Sequence, residues 1–335
     1  MGNPHVLVVP YPAQGHVIPI MELSQSLLKH GIRITFVNTE HNHKRIMAAK
    51  EDDGTGGDQV VLVSIPDGPK FQDNMNRMEQ HIEQVYRFMP EKVKELIEQI
   101  NASDSDKITC VVADNLLGWA MEIAAEKGIK RAAFSAAAAT LLVLSSSIPK
   151  LIDQGIIDND GIPTKKQMFQ LTPAIPAMNT AHFGWTCVGN EKVQKLLFGN
   201  IVRNNISMKL TDWVLCNSSY SLEPAAFDTD PKIRPVGPLL ASNRFGETTG
   251  NFWPEDSTSS GNNRNASSKK YTRLVASASC YSRSATTSCM INQYEIPPDR
   301  SFLSDAGVAI RIVEINSKLI LNRHVNGIKI GRSLH

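Results

Sequence analysis

Short apolar runs of strand length alternate with longer stretches of helical periodicity from the N-terminus to about residue 240, and this alternation constrains the chain more than any other feature. The first run, residues 5–10 (HVLVVP), is rich in valine, as suits a strand buried on both faces. A turn bearing proline and glycine follows, Tyr11-Pro12-Ala13-Gln14-Gly15-His16. Ile18, Met21, Leu23, Leu27 and Leu28 then recur at roughly helical spacing. Lys29 and His30 suit a helix C-terminus, and Gly31 suits the left-handed position beyond it. Residues 32–37 return to a strand. The result is a βαβ unit, which builds parallel sheet with right-handed crossovers.

The pattern continues with a strand at 59–65 and helical periodicity over 75–100, where Pro90 marks a break or a new first turn. A strand at 107–113, a helix at 116–127 ending at Gly128, a strand at 129–134 and an alanine-rich helix from Ser135 follow. Residues 151–185 hold Pro, Gly and Asp without a strong period and read as a long surface loop. A helix at 192–209, a strand at 213–216 and a short helix at 222–227 complete the alternation. The expected organisation is a domain over 1–240, a linker over 241–258 and a tail over 259–335. Residues 258–290 are dense in Ser, Thr, Asn, Arg and Lys, and too few apolar groups remain there to offset the entropy of ordering. Strand-like character returns only at 308–315 and 318–321.

Composition excludes several function classes. A net charge of +2 with scattered basic residues gives no footprint for nucleic acid or an anionic membrane. The longest weakly polar stretch, residues 132–144, is too short to span a bilayer and reads as a buried helix. Five cysteines without C-x-x-C spacing fit a reducing compartment, and the N-terminus lacks a signal-peptide pattern, so a cytoplasmic location is expected.

Two residues stand where ligands bind in open parallel sheets, outside the carboxyl ends of strands. His16 follows the first strand, and its imidazole titrates near neutral pH, so it could take a proton from a hydroxyl. A helix N-terminus beside it would favour the neutral form. The plainer alternative is a surface histidine that follows a glycine. Asp114 closes the strand at 107–113, and taken alone it is better read as the N-cap of the next helix. Taken with His16, it would fix the tautomer and stabilise the imidazolium formed on proton abstraction. Other motifs fail. Residues 12–15 do not supply G-x-G-x-x-G, which leaves a nicotinamide oxidoreductase without a phosphate cradle. No Walker A sequence or G-x-S-x-G elbow occurs. His41 and His43 read as solvated loop residues rather than a zinc site.

These residues lie in segments that resemble the plant UDP-dependent glycosyltransferases of small molecules. HVLVVPYPAQGHVIPIMELSQSLLKHGIRITFVNTEHNHKR is similar to that family's first strand, catalytic loop, helix and second strand, and CVVADNLLGWAMEIAAEKGIKRAAF to its aspartate-bearing segment. DWVLCNSSYSLEP and IRPVGPLLASNRFG resemble the close of its N-terminal domain, and NFWPEDST the approach to its second. The resemblance covers about the first 258 residues. It implies an α/β fold with a Rossmann-like parallel sheet flanked by helices, the N-terminal half of a GT-B fold, followed by a largely irregular tail. It also implies that His16 deprotonates an acceptor hydroxyl with Asp114 as its partner, and that the oxygen attacks the sugar with inversion. Acceptor contacts are expected from Gln14, Gly15, Ser135, His182 and Trp185, with residues 173–185 shaping the pocket. No tightly bound cofactor is expected, and the UDP-sugar is a co-substrate.

The sequence departs from the family after Thr258. The His-Cys-Gly-Trp-Asn-Ser run of the donor half and its downstream Asp-Gln or Glu-Gln pair do not occur. Without that half nothing recognisable holds the diphosphate, so the chain is expected to be truncated and weakly active or inactive. The abrupt change of texture leads us to expect a shifted reading frame or an aberrant splice over 259–335. A non-catalytic protein that binds small hydrophobic molecules, or associates with an intact transferase, is the competing reading.

Overall fold

A computed structural model describes residues 4–50, 60–68, 77–103, 106–187 and 190–239. The linker and tail expected from residue 241 onward lie outside the described residues.

The valine run forms β1 (His5–Val9), buried on both faces, and the periodic segment after it forms α1 (Gln14–Leu28). Gly31 takes a φ of 74°, and the chain re-enters the sheet as β2 (Arg33–Thr39). Next come α2 (Glu40–Lys50), β3 (Val61–Ile65) and α3 (Arg77–Glu83). One π-helical stretch, Gln84–Phe88, separates α3 from α4 (Met89–Asn101), so Pro90 stands in a first turn where its missing N–H costs no hydrogen bond. Then follow β4 (Cys110–Asp114), α5 (Gly118–Glu126), Gly128 at φ 65° and β5 (Lys130–Ser135).

Beyond β5 the expectations need correction. Residues 132–144 are not one buried helix. β5 runs to Ser135, Ala138 is extended, and α6 (Ala139–Ser146) starts only there, followed by α7 (Ile148–Asp153). Ladder pairing of Ser135 with Cys216 outweighs the helix propensity of alanine at this point. Nor is 151–185 a surface loop. Its small hairpin, β6 (Met168–Phe169) with β7 (Met178–Asn179), and its irregular backbone carry Leu171, Ile175, Met178, Phe183 and Trp185 into the core. The chain ends its described course with α8 (Glu191–Ser207), β8 (Trp213–Cys216), α9 (Pro224–Thr229) and β9 (Ile233–Pro235).

Among the described residues seven strands form one sheet in the order β3-β2-β1-β4-β5-β8-β9, every pair parallel. The order reverses between β1 and β4, which makes their carboxyl ends the switch point where α/β sheets hold ligands. Alternate residues of β1 serve two cores: Val6 and Val8 pack with α1, Leu7 and Val9 with α4 and α5. Each such fully buried side chain stabilises the fold by about 1.5–3 kcal/mol. A third cluster gathers α6 to α9 and the hairpin segment.

Candidate active site

His16 and Asp114 meet above this switch point. After β1 the chain turns through Tyr11, and extended Ala13 accepts the N–H groups of His16 (2.9 Å) and Val17 (3.0 Å). His16 therefore belongs to the first turn of α1 rather than to the loop before it. Asp114 ends β4 with its side chain fully buried. Its Oδ1 accepts the Leu116 N–H at 2.9 Å, while its Oδ2 lies 2.7 Å from Nδ1 of His16. The N-cap of α5 is Leu117, so Asp114 does not cap that helix. A Nδ1–H donating to the carboxylate leaves Nε2 as the basic nitrogen, and the His16 side chain keeps 28% exposure to use it.

Electrostatics differ from the helix-dipole expectation. Burial disfavours the imidazolium, but the charge of Asp114 and its hydrogen bond outweigh that cost, and the His16 pKa is raised above 6.5. A full carboxylate at hydrogen-bond distance dominates the half-charge of a helix terminus.

Four residues that sequence reasoning missed, Tyr11, His81, Asn204 and Tyr86, complete the surroundings. The Tyr11 ring stands between two histidines, 5.1 Å from His16 and 5.2 Å from His81, centroid to centroid. Burial, and then the charge on His16, lowers the His81 pKa. Asn204 of α8 clamps the turn after Asp114: its amide donates to the Leu116 carbonyl at 2.7 Å and its Oδ1 accepts the Gly118 N–H at 3.1 Å. Tyr86 donates to the same carbonyl at 2.8 Å, and burial pushes its phenol up to about 12. A Cβ at Gly118 would sit 2.8 Å from the Asn204 Oδ1 and the Ser207 Cβ, so this close docking of α8 requires glycine.

A cavity of about 1680 Å³ opens beside this group, with His16, Tyr11, Tyr86, Ser135 and Trp185 in its wall. Ser135 is buried, and the Trp185 indole N–H is occupied by the Gly161 carbonyl at 2.7 Å. Gln14, Gly15 and His182 are exposed and lie outside the cavity wall. His41 and His43 sit in α2 rather than in a loop. Among the described residues no group of three or more His, Cys, Asp or Glu side chains could hold a metal ion, and no helix is long and apolar enough to cross a membrane.

No family model matches the chain. UDP-glycosyltransferase 83A1 of Arabidopsis thaliana is 48% identical over 265 residues, 76% of this chain and 57% of that protein. UDP-glycosyltransferase 86A1 of the same plant is 26% identical over 269 residues, 76% of this chain and 54% of that protein. The chain thus spans little more than half the length of these relatives. Among solved structures, apo UGT2 of Phytolacca americana superposes with a TM-score of 0.58 at 16% identity, over 72% of this chain and 53% of that one. The same enzyme complexed with UDP-2fluoro-glucose and pterostilbene gives 0.55 at 17% identity, over 72% and 55%. These likenesses establish the fold of the seven-stranded domain as the corresponding half of a GT-B fold.

Proposed function

Over about 76% of its length this chain is homologous to the plant UDP-glycosyltransferases, and on that premise we propose that it forms the acceptor half of a hexosyl transfer site with His16 as the base. The observation that carries this reading is the 2.7 Å contact between His16 Nδ1 and Asp114 Oδ2 at the edge of a mostly apolar cavity. The acceptor hydroxyl gives its proton to Nε2 of His16, and Asp114 stabilises the resulting imidazolium. The oxygen then bonds to the anomeric carbon as the bond from that carbon to the UDP oxygen breaks, which inverts the configuration.

The UDP-sugar is a co-substrate on this reading, held by groups that the homologous segment does not provide. Titration of the purified chain with a small phenol is expected to give saturable binding that shifts the His16 imidazole resonances. Any glucoside that the chain forms with added UDP-glucose should disappear in His16→Ala. Phenol binding that leaves His16 undisturbed would defeat the reading. The absence of the His-Cys-Gly-Trp-Asn-Ser run favours a second reading, a non-catalytic binder of small hydrophobic molecules. Phenol binding without any UDP-glucose binding at millimolar donor would select it.

A further inference from the structure

The cavity beside His16 is larger than a single-ring acceptor needs. Its volume of about 1680 Å³ exceeds the roughly 300–1,000 Å³ of most small-molecule pockets. The excess originates in the packing of one sheet face. There the apolar side chains form two clusters rather than one, and the cavity separates them. Leu116 and Met208 of its wall pack against the first cluster, Ile201 and Val214 against the second. Between them β5 and the turn after it offer Ser135 and Ala137, which are too small to close the gap.

From Ser135 the wall continues along α8 to Thr211 and Asp212 at the amino end of β8, to Lys232 just before β9 and to Arg234 within it. That is the rim of the sheet opposite Asp114. Lys209 and Lys232 are exposed, so the far end reaches the surface. At about 3.3 Å per residue, the strand length between the two rims gives a path of roughly 15 Å.

The two ends differ in chemistry. One holds the imidazole of His16. The other gathers Lys209, Lys232 and Arg234 with Asp212 and Asp230. The Asp212 carboxylate is already engaged by Lys130 at 3.3 Å and Arg131 at 3.8 Å, neither of which lines the cavity. Lys209 and Lys232 against Asp230 alone leave the far mouth with a balance that favours an anion.

We propose that the acceptor is an elongated apolar chain with a hydroxyl at one end and a carboxylate at the other, of the ω-hydroxy fatty acid class. It lies along β8 with its hydroxyl at His16 and its carboxylate at Lys209 and Lys232. This acceptor class rests on the reading of His16 as the acceptor base, and adds the length and end charge of the molecule it serves.

Quenching of Trp185 and Trp213, which both line the cavity, reports occupancy in the purified full chain. The probes are ω-hydroxypalmitate, ω-hydroxyhexanoate, the long-chain diol without a carboxylate, and phenol. Full burial of each added methylene is worth about fourfold in affinity, so ω-hydroxypalmitate should bind at least about tenfold tighter than ω-hydroxyhexanoate. In the Lys209→Glu/Lys232→Glu double variant, ω-hydroxypalmitate should weaken about fivefold or more, and the diol by less than about twofold. Both lysines are exposed, so the fold tolerates the exchange. Ile201→Trp, which narrows the passage midway, should weaken both long ligands. Equal affinity for long and short hydroxy acids, or equal losses for acid and diol in the double variant, would overturn the assignment. Phenol binding that shifts His16 without any gain from chain length removes the elongated acceptor and leaves the base standing. Failure of every probe to bind removes both.

Discussion

Nδ1 of His16 donates to Oδ2 of Asp114 at 2.7 Å across 98 positions of sequence, and this contact fixes which nitrogen of the ring remains basic. The two residues reach each other because β1 and β4 are adjacent, with Val9 paired to Ala113 at the end of the ladder.

Asp114→Asn removes the charge and keeps the shape. Burial is then the main influence left on the His16 ring, so its pKa should fall from above 6.5 to below it. An NMR titration of the imidazole checks this, and an unchanged midpoint would mean that Asp114 is not what raises it.

On the proposed role of His16 as the acceptor base, its raised pKa also sets a sign for catalysis. A base must be neutral to accept a proton, so acceptor turnover should climb as pH rises through that pKa and level off above it. Replacement of His16 by Ala should remove this dependence and cost roughly 10²–10⁴-fold in transfer rate. A pH–rate profile in the presence of donor and acceptor supplies the measurement. For stability the sign is opposite: the His16–Asp114 contribution is fully present below 6.5 and is lost as pH rises through the folded value.

His5 works the other way. Its ring is buried between the Asp106 carbonyl at 2.7 Å and the Thr35 hydroxyl at 2.8 Å, and burial, then Arg33, lowers its pKa to about 4. The unfolded chain binds this proton more readily, so stability should fall as pH drops from 6.5 towards 4, by no more than about 3 kcal/mol. Urea midpoints across that range, compared with those of His5→Asn, test whether this residue is responsible.

Gly118 and Asn204 form a matched pair. An added methyl at Gly118 meets the Asn204 amide and Ser207, and Gly118→Ala should cost about 1–3 kcal/mol. Asn204→Ala leaves the buried Gly118 N–H without its acceptor at a similar cost. In combination the losses should add to less than their sum, which denaturant unfolding of the three variants will reveal.

Much of this was legible in the residues themselves. The valine run, the glycines at 31 and 128 and the proline at 90 each state a local rule that the fold obeys. The parallel βαβ alternation puts the carboxyl ends of all strands, and so His16 and Asp114, at one rim; their contact also needs β1 beside β4, an order that the alternation does not state. Tyr11, His81 and Asn204 were not legible. Their contacts depend on how α3 and α8 dock, and no periodicity within either helix encodes that. The segment 151–185 misled for a related reason. Its apolar residues are buried at irregular intervals by non-repetitive backbone, so neither a helical nor a strand period signals the burial.

β1 and β4 occupy the middle of the sheet, with β3 and β9 at its margins. Amide protons of Val8 and Val112 should therefore outlast those of Val63 and Ile233 in hydrogen–deuterium exchange, because marginal strands open first. On that expectation the His16–Asp114 pair is anchored beside the slowest-opening strands of the domain. Fraying of either margin then leaves the pair assembled, and the chain can breathe around its cavity without unmaking its chemistry.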